Sequence, residues 1–279
     1  MTAPATWSWR LLRAGAFMLD GGAMFGLIPR PIWTRAVTPD DKNRIALETN
    51  CLLLERDGAL VVVEAGIGDK LTDKLRGIYN AERRTIADAL REIDADPADI
   101  THVVLTHLHF DHAGGLTTLE GDRAVPVFPN AEVIVQKQEW HDALANRSTM
   151  HSTYLRDHLD PIAERVRTVE GETEALPGLR VRPVPGHTFG QQAVLFDAAG
   201  AGTVAFPGDL MPTRHHAPTT WGMAYDVESY TTMVEKARFL ADAHANDWTI
   251  VLDHDPGEPV MRTQAHEQRE GEFTLIEAH

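Results

Sequence analysis

The chain has 279 residues, of which 43% are hydrophobic and 24% are charged, and its formal net charge at pH 7 is −15. This composition is typical of a globular protein, and the acidic balance opposes binding to nucleic-acid phosphates or anionic lipid. The sequence has no signal-peptide pattern and no apolar run near the ~18 residues that span a bilayer. We therefore expect a cytoplasmic protein with no nucleic-acid partner and no membrane partner.

The first half of the chain is predicted to consist mainly of strands. Its elements in chain order are a short strand pair over 7–20, a loop over 21–31, a hairpin of strands 45–54 and 60–64, an amphipathic helix over 85–93 and a buried strand over 103–105. Cys51, the only cysteine, lies in an apolar run of the hairpin. It is predicted to be a buried structural thiol.

The second half alternates strands with helices. Its elements in chain order are a strand over 132–135, a helix from 137, a mainly helical stretch over 147–168, strands over 179–184, 193–196 and 203–205, a loop over 212–221, a long helix over 228–243 and a last strand over 248–252. Neither a linker nor a repeat divides the chain. We predict one α/β-type domain over residues 1–279.

A dense cluster of metal-ligating side chains follows the predicted strand over 103–105. The next residues include His107, His109, Asp111 and His112, so three imidazoles and a carboxylate lie within six residues. Imidazole nitrogen and carboxylate oxygen suit divalent zinc, iron or manganese. The first two histidines can face one metal ion, and the other two residues can face a second.

Three further candidate ligands each follow a predicted strand. They are His187, Asp209 and His254, and a glycine directly precedes the first two. Histidines also cluster by chance, but an apolar strand, a turn and then a ligand recur here at four places. We therefore predict a metal site where the two halves of the chain meet.

The pattern His-x-His-x-Asp-His, followed by single His, Asp and His ligands, resembles the metallo-β-lactamase superfamily of dinuclear hydrolases. Further segments resemble the YtnP-type quorum-quenching lactonases within it, at 20–26, 127–131, 139–140, 209–213 and 224–226. The resemblance implies a four-layer αββα sandwich, which periodicity alone does not predict.

The resemblance also implies two divalent metal ions, with zinc the first choice and iron, cobalt or manganese compatible with the same donors. It divides the ligands into a set of His107, His109 and His187, a set of Asp111, His112 and His254, and the bridging Asp209. A hydroxide shared by the two ions would then attack a carbonyl group. Asp111 either serves only as a ligand or also passes a proton to the leaving alkoxide.

The pocket departs from one pattern of this superfamily. Many of its lactonases have a tyrosine three residues after the bridging aspartate, where this chain has Pro212. The candidates to bind the substrate carbonyl in its place are His215, His216 and Tyr225, and His216 fits the YtnP-type pattern best. Apolar residues on nearby loops either pack in the core or line an acyl-chain pocket, and they are Met24, Phe25, Phe110, Trp221 and Met223.

The leading functional hypothesis is a dinuclear zinc lactonase that opens N-acyl homoserine lactones. The alternative is a related aryl esterase or organophosphate triesterase, because the same metal pair activates carbonyl and phosphoryl centres alike. A mononuclear iron oxygenase and a metal-stabilised binding protein without turnover fit the complete ligand set less well. By family analogy, the Met24–Phe25 loop also suggests a homodimer.

Overall fold

A computed structural model describes residues 5–278, and β-strands account for most of its regular structure. Its strands are β1 (Ser8–Asp20), β2 (Arg44–Arg56), β3 (Ala59–Val63), β4 (His102–Val104), β5 (Thr117–Glu120), β6 (Arg123–Pro126), β7 (Glu132–Gln136), β8 (Val166–Val169), β9 (Thr173–Leu176), β10 (Leu179–Pro183), β11 (Gln192–Ala198), β12 (Gly202–Phe206), β13 (Thr249–Val251), β14 (Val260–Ala265) and β15 (Phe273–Glu277).

The α-helices are shorter and lie between the strands. They are α1 (Gly21–Phe25), α2 (Arg30–Trp33), α3 (Asp73–Tyr79), α4 (Ile86–Arg91), α5 (Phe110–Ala113), α6 (Lys137–Leu144), α7 (Arg156–Leu159) and α8 (Ser229–Ala245). Short 3₁₀ helices span Pro97–Asp99, Gly114–Leu116, Asp160–Arg165, Gly208–Leu210 and Arg214–His216. Across residues 5–278, none of the helices has the length and apolar character needed to cross a bilayer.

The strands form two large sheets that follow one another in the sequence. The first has the order β1-β2-β3-β4-β7-β8, the second has the order β15-β14-β13-β12-β11-β10-β9, and β5 and β6 form a separate hairpin. The centre of each sheet contains a parallel pair, β3 with β4 and β12 with β13. Because parallel neighbours end at the same edge, the loops that follow them lie side by side.

The alternation of side chains along β2 explains how the layers pack. Leu52 and Leu54 point into the apolar core between the sheets, whereas Cys51 and Leu53 point into a second core under the outer helices. This is the two-residue period of a strand that is buried on both faces. On the far side, α8 covers the second sheet with Phe239 and its neighbours. The four-layer αββα sandwich implied by the resemblance is confirmed, and so is the burial of Cys51.

Three predicted segments are wrong in instructive ways. Residues 7–20 do not form a strand pair but one 13-residue strand, whose register shifts between Arg13 and Ala16. The glycine in this segment therefore marks a bulge and not a turn. The predicted loop over 21–31 contains α1, where the Asp20 side chain accepts a hydrogen bond from the Ala23 amide.

The predicted helical stretch over 147–168 contains only the four-residue α7 before a 3₁₀ helix and strand β8. Pro161 lies at the start of that 3₁₀ helix and cannot donate the backbone hydrogen bond that a longer α-helix would need. The hairpins β5–β6 and β14–β15 were not predicted, because their short strands carry weak hydrophobic patterns.

Candidate metal centre and substrate cleft

Four loops meet at the carboxyl ends of β4, β10, β12 and β13. The loop after β4 carries the dense His/Asp cluster, and the other three loops each carry one predicted ligand. All the predicted ligands are buried and lie together, namely His107, His109, Asp111, His112, His187, Asp209 and His254. The first four come from the half of the chain that forms the first sheet, and the last three come from the half that forms the second.

Two groups of donor atoms among the described residues could each hold a metal ion, because the atoms within each group lie within 4.8 Å of one another. The first group consists of His107, His109, His187 and Asp209. The second group consists of His112, Asp209, Asp253 and His254. Asp209 belongs to both groups, which is the position that a bridging carboxylate requires.

The structure places one predicted ligand differently from the rest and adds a candidate. Asp111 is in neither group, although its carboxylate oxygens lie 3.9 Å from His112 Nε2 and 3.7 Å from His254 Nε2. Asp253, which was not predicted, is in the second group. It directly precedes His254 in the sequence, so its side chain also belongs to the loop after β13.

Hydrogen bonds set the orientation of three of the imidazole rings. His112 Nδ1 lies 3.1 Å from a Glu64 oxygen, His187 Nδ1 lies 3.0 Å from an Asp226 oxygen, and His254 Nδ1 lies 2.8 Å from the Glu48 carbonyl. Since these oxygens only accept, each Nδ1 must carry a proton and donate it. When such a ring is neutral, its Nε2 atom is a lone pair that points into the site and can bind a cation.

These lone pairs face one another and a carboxylate at short range. His254 Nε2 lies 3.2 Å from His112 Nε2, while His187 Nε2 and His254 Nε2 lie 3.0 Å and 3.3 Å from Asp209 oxygens. Acceptors at such distances repel unless a positive charge lies between them. His107 Nε2 and Asp209 Oδ1 have no hydrogen-bond partner at all among the described residues. The donor set therefore fits divalent metal ions.

The pKa values of the side chains in the cluster also indicate that the site requires positive charge. Burial and the neighbouring imidazoles lower the pKa of His107 and of His109 well below the usual value, so both rings are neutral. Burial also lowers the pKa of His187, but the carboxylates of Asp209 and Asp226 outweigh it and raise the value to about 10. Burial raises the pKa of Asp209, but His187 and His254 outweigh it and hold the value well below the usual range. This carboxylate therefore stays ionised.

Glycine directly precedes two of the ligands because the backbone turns there with a positive φ. Gly186 has φ 137° and Gly208 has φ 58°. A Cβ atom on Gly186 would lie 2.5 Å from the backbone nitrogen of Thr232 in α8, and one on Gly208 would lie 2.7 Å from the Thr106 side chain. Glycine thus permits both the turn and the close packing that brings the ligand loops together.

Glu64 follows β3 and also adopts the left-handed conformation, with φ 67°. One of its oxygens accepts a hydrogen bond from the Thr106 amide at 2.7 Å, and the other accepts from His112 Nδ1. A non-glycine residue in this conformation is held there by its surroundings and is common near functional sites. Here the side chain connects the first sheet to the ligand loop.

A second buried carboxylate, that of Glu139 in α6, joins two ligand loops. It accepts hydrogen bonds from the Leu108 amide at 2.9 Å, the Tyr154 hydroxyl at 2.9 Å and the Thr188 hydroxyl at 2.6 Å. Leu108 and Thr188 are each adjacent to a predicted ligand in the sequence. Glu139 and Asp226 act here through partners far away in the chain, so the local sequence carries no signal of these roles.

A cleft of about 560 Å³, open mouth included, leads to the donor atoms. Three of the predicted acyl-pocket residues, Met24, Phe110 and Met223, line it, together with Met150 and Leu19. The predicted ligands His109, Asp111, His187, Asp209 and His254 also line the cleft. An apolar wall that ends in a few polar groups is the usual form of a small-molecule site.

Two predicted pocket residues lie behind this wall and not on it. Phe25 is fully buried and stacks between Trp33 and His216, with ring centroids at 5.3 Å and 5.1 Å. Trp221 packs edge-on against Phe25, and its carbonyl accepts a hydrogen bond from the buried Lys236 ammonium at 2.7 Å. Both residues support the wall from outside the cleft.

The three candidates for carbonyl binding differ in whether they line the cleft. His216 is buried, with Nε2 2.8 Å from the Met24 carbonyl and Nδ1 2.8 Å from the Thr213 hydroxyl, so both ring nitrogens are engaged away from the cleft. His215 also lies outside the cleft, in a hollow beside Arg214. Tyr225 alone lines the cleft, where Tyr79 is a second tyrosine that the sequence had not suggested.

The similarity to known proteins covers this site. Residues 44–254 match the sequence model of the metallo-beta-lactamase superfamily. The N-acyl homoserine lactonase AiiA of Bacillus thuringiensis subsp. kurstaki is 26% identical over 215 residues, which cover 73% of this chain and 75% of that protein. Every predicted metal ligand lies within the range matched by the superfamily model.

Solved structures share the whole architecture. A probable metal-dependent hydrolase from Staphylococcus aureus superposes with a TM-score of 0.86 at 28% identity, covering 100% of both chains. AidC, a dizinc quorum-quenching lactonase in complex with the product N-hexanoyl-L-homoserine, superposes with a TM-score of 0.80 at 18% identity, covering 99% of this chain and 96% of that one. At that identity the likeness to AidC shows a common fold.

Proposed function

This chain belongs to the metallo-beta-lactamase superfamily, and we propose that it is a dinuclear lactonase that opens N-acyl homoserine lactones and so quenches quorum signals. The observation that carries the proposal is the cleft, which joins an apolar wall to a cluster of metal donors. An acyl homoserine lactone has the matching parts, an apolar chain joined to a polar ring ester. The similarity to the lactonase AiiA supports the same substrate class.

The metal ions would be held by the imidazoles and carboxylates at the ends of the four strands. His107, His109 and His187 would hold one ion, His112 and His254 would hold the other, and Asp209 would bridge them. When bound, two divalent cations supply a hydroxide nucleophile at neutral pH and polarise the ester carbonyl. Zinc is our first choice, since five of these donors are imidazoles.

Asp111 would transfer the proton of the reaction. Its carboxylate lines the cleft, and one oxygen lies 3.7 Å from His254 Nε2 at the edge of the donor cluster. It would accept the proton that the attacking water releases and return it to the alkoxide that leaves when the ring opens. The product is then an open-chain hydroxy acid, with its carboxylate beside the donor cluster.

Tyr225, which lines the cleft, would bind the lactone carbonyl. Burial, together with the Asp20 and Asp111 carboxylates, raises the pKa of its phenol above the usual value. The phenol therefore stays protonated at neutral pH and can donate a hydrogen bond to oxygen as negative charge develops there. Tyr225, from the loop before α8, would take the role of the tyrosine that many lactonases of the superfamily have where this chain has Pro212.

The decisive experiment is pH-stat hydrolysis with metal-quantified protein. The panel consists of acyl homoserine lactones of several chain lengths, aryl esters and organophosphate triesters. We expect efficient lactone opening that Asp209→Asn abolishes, because this change removes the bridging charge. Fast ester or triester turnover with negligible lactone opening would overturn the lactonase assignment and favour the alternative hydrolase.

A further inference from the structure

Asp253 has an environment that none of the roles described above explains. Its side chain is only 1% exposed, and neither of its carboxylate oxygens has a hydrogen-bond partner among the described residues. One oxygen lies 3.8 Å from His254 Nε2. The carboxylate also lies within 4.8 Å of the donor atoms of His112 and Asp209. It therefore points into the second donor group and not out of the site.

Across residues 5–278, no lysine or arginine side chain forms an ion pair with this carboxylate. Arg214, in the 3₁₀ helix Arg214–His216, is committed to Asp255, whose oxygens it contacts at 3.0 Å and 3.1 Å. The Nδ1 proton of His254 is committed to the Glu48 carbonyl. A buried carboxylate without a partner strongly destabilises a folded chain unless a cation compensates it.

We propose that Asp253 is an additional ligand of the second metal position, beyond the predicted set. The inference rests on the metal centre of the proposed function but not on its lactone substrate. Asp253 would join His112, His254 and the bridging Asp209, and Asp111 would remain at the cleft side of the same position. The second position would then be rich in carboxylate, whereas the first has three imidazoles and the shared carboxylate.

This asymmetry predicts different metal preferences. Carboxylate oxygens suit manganese, whereas imidazoles suit zinc and iron. Manganese added to the metal-stripped chain should therefore enter the second position first. The charge of Asp253 should be the main reason for that order, because the imidazoles of the two positions are chemically the same.

The test is a titration of metal-stripped full-length protein with Mn²⁺, followed by electron paramagnetic resonance and by metal analysis after gel filtration. Asp253→Asn keeps the shape of the side chain and removes its charge. We expect this variant to bind the first-entering Mn²⁺ on the order of 100-fold more weakly than the parent chain, as for loss of a ligand or of its closest support. Asp255→Asn is the matched control, a buried carboxylate of the same loop that already has Arg214, and should leave the titration unchanged.

A second readout separates ligation from folding. Without metal, Asp253→Asn should unfold at the same temperature as the parent chain or higher, because it removes an uncompensated buried charge. With Mn²⁺, its rise in unfolding temperature should be smaller, and Asp253→Glu should restore part of that rise. An unchanged Mn²⁺ titration in Asp253→Asn overturns the inference while leaving the metal centre intact. A parent chain that binds no metal overturns the inference and the proposed metal centre together.

Discussion

Two tyrosines of the cleft allow a matched test of carbonyl binding. Both Tyr225 and Tyr79 line the cleft, but Tyr79 stacks on Phe110, with ring centroids 5.2 Å apart. We predict that Tyr225→Phe lowers kcat for lactones by about 100-fold, the usual cost of losing one donor to a developing oxyanion. Steady-state kinetics with metal-loaded protein measure this effect.

Tyr79→Phe is the control for that change, because it removes a phenol from the same cleft without removing the proposed donor. Its kcat should stay within about threefold of the parent value, and any change should fall on KM through altered packing. If Tyr79→Phe lost as much kcat as Tyr225→Phe, the assignment of the carbonyl donor to Tyr225 would be wrong.

At the same scale, the sequence predicts ligands better than it predicts their supports. His107 to His112 are recognisable because their chemistry is concentrated within six residues. Asp226 and Glu139 lie in segments that resemble the YtnP-type lactonases, but their roles are not recognisable, since each acts on a residue that only the fold brings near. Asp253 is a mixed case, because it adjoins His254, but its lack of partners is visible only in three dimensions.

The buried side chain of His216 helps to hold helix α1 against the cleft. This imidazole donates to the Met24 carbonyl and stacks on Phe25, so it fixes the helix whose Met24 side chain lines the cleft. We predict that His216→Gln raises KM for long-chain lactones severalfold and leaves kcat within about twofold. The measurement is a kinetic series over acyl-chain length.

The sequence pattern also predicts His216 as a candidate to bind the substrate carbonyl, and the same series distinguishes that role from support of α1. A loss of kcat comparable with that of Tyr225→Phe, at every chain length, would contradict the supporting role. Metal content should be unaffected in either case, because the ring nitrogens of His216 are engaged outside the donor cluster.

Secondary structure was predictable where local chemistry and burial agree. The hairpin of β2 and β3 turns at Asp57 and Gly58, which both have positive φ, as the Asp-Gly pair predicts. Helix α4 begins at Ile86, directly after its N-cap Thr85, which forms a capping box with Asp88. In contrast, the segment over 147–168 has helix-forming residues but is mostly not helical. Pro161 breaks the helix locally, and the end of the segment forms strand β8, which pairs with β7 through tertiary contacts.

For the whole molecule, His158 should make stability depend on pH. This side chain is 3% exposed, and burial, reinforced by the Lys70 ammonium, lowers its pKa to about 3. The unfolded chain binds a proton at this group below about pH 6.5, whereas the folded chain does not. The contribution of His158 is therefore fully present above pH 6.5 and is lost as the pH falls from 6.5 towards 3.

We predict a loss of about 1.4 kcal/mol of unfolding free energy per pH unit from this group within that window. Urea unfolding of the parent chain and of His158→Gln between pH 4.5 and 7.5 measures it as the difference in slope. Other groups titrate in both proteins, so they cancel in the comparison. Equal slopes for the two proteins would mean that His158 is protonated in the folded state or exposed to solvent.

The donors of the metal centre are divided between two sheets that are also consecutive along the chain. The first sheet ends with β8 at Val169, and the second begins with β9 at Thr173. Each half supplies only part of either donor group, so neither half could hold the metal pair alone. If the chain were cut in the intervening turn and the two fragments were fused to interacting partners, hydrolysis would start only when the partners met. Such a divided chain would serve as a split-enzyme reporter, in which turnover measures the association of two other proteins.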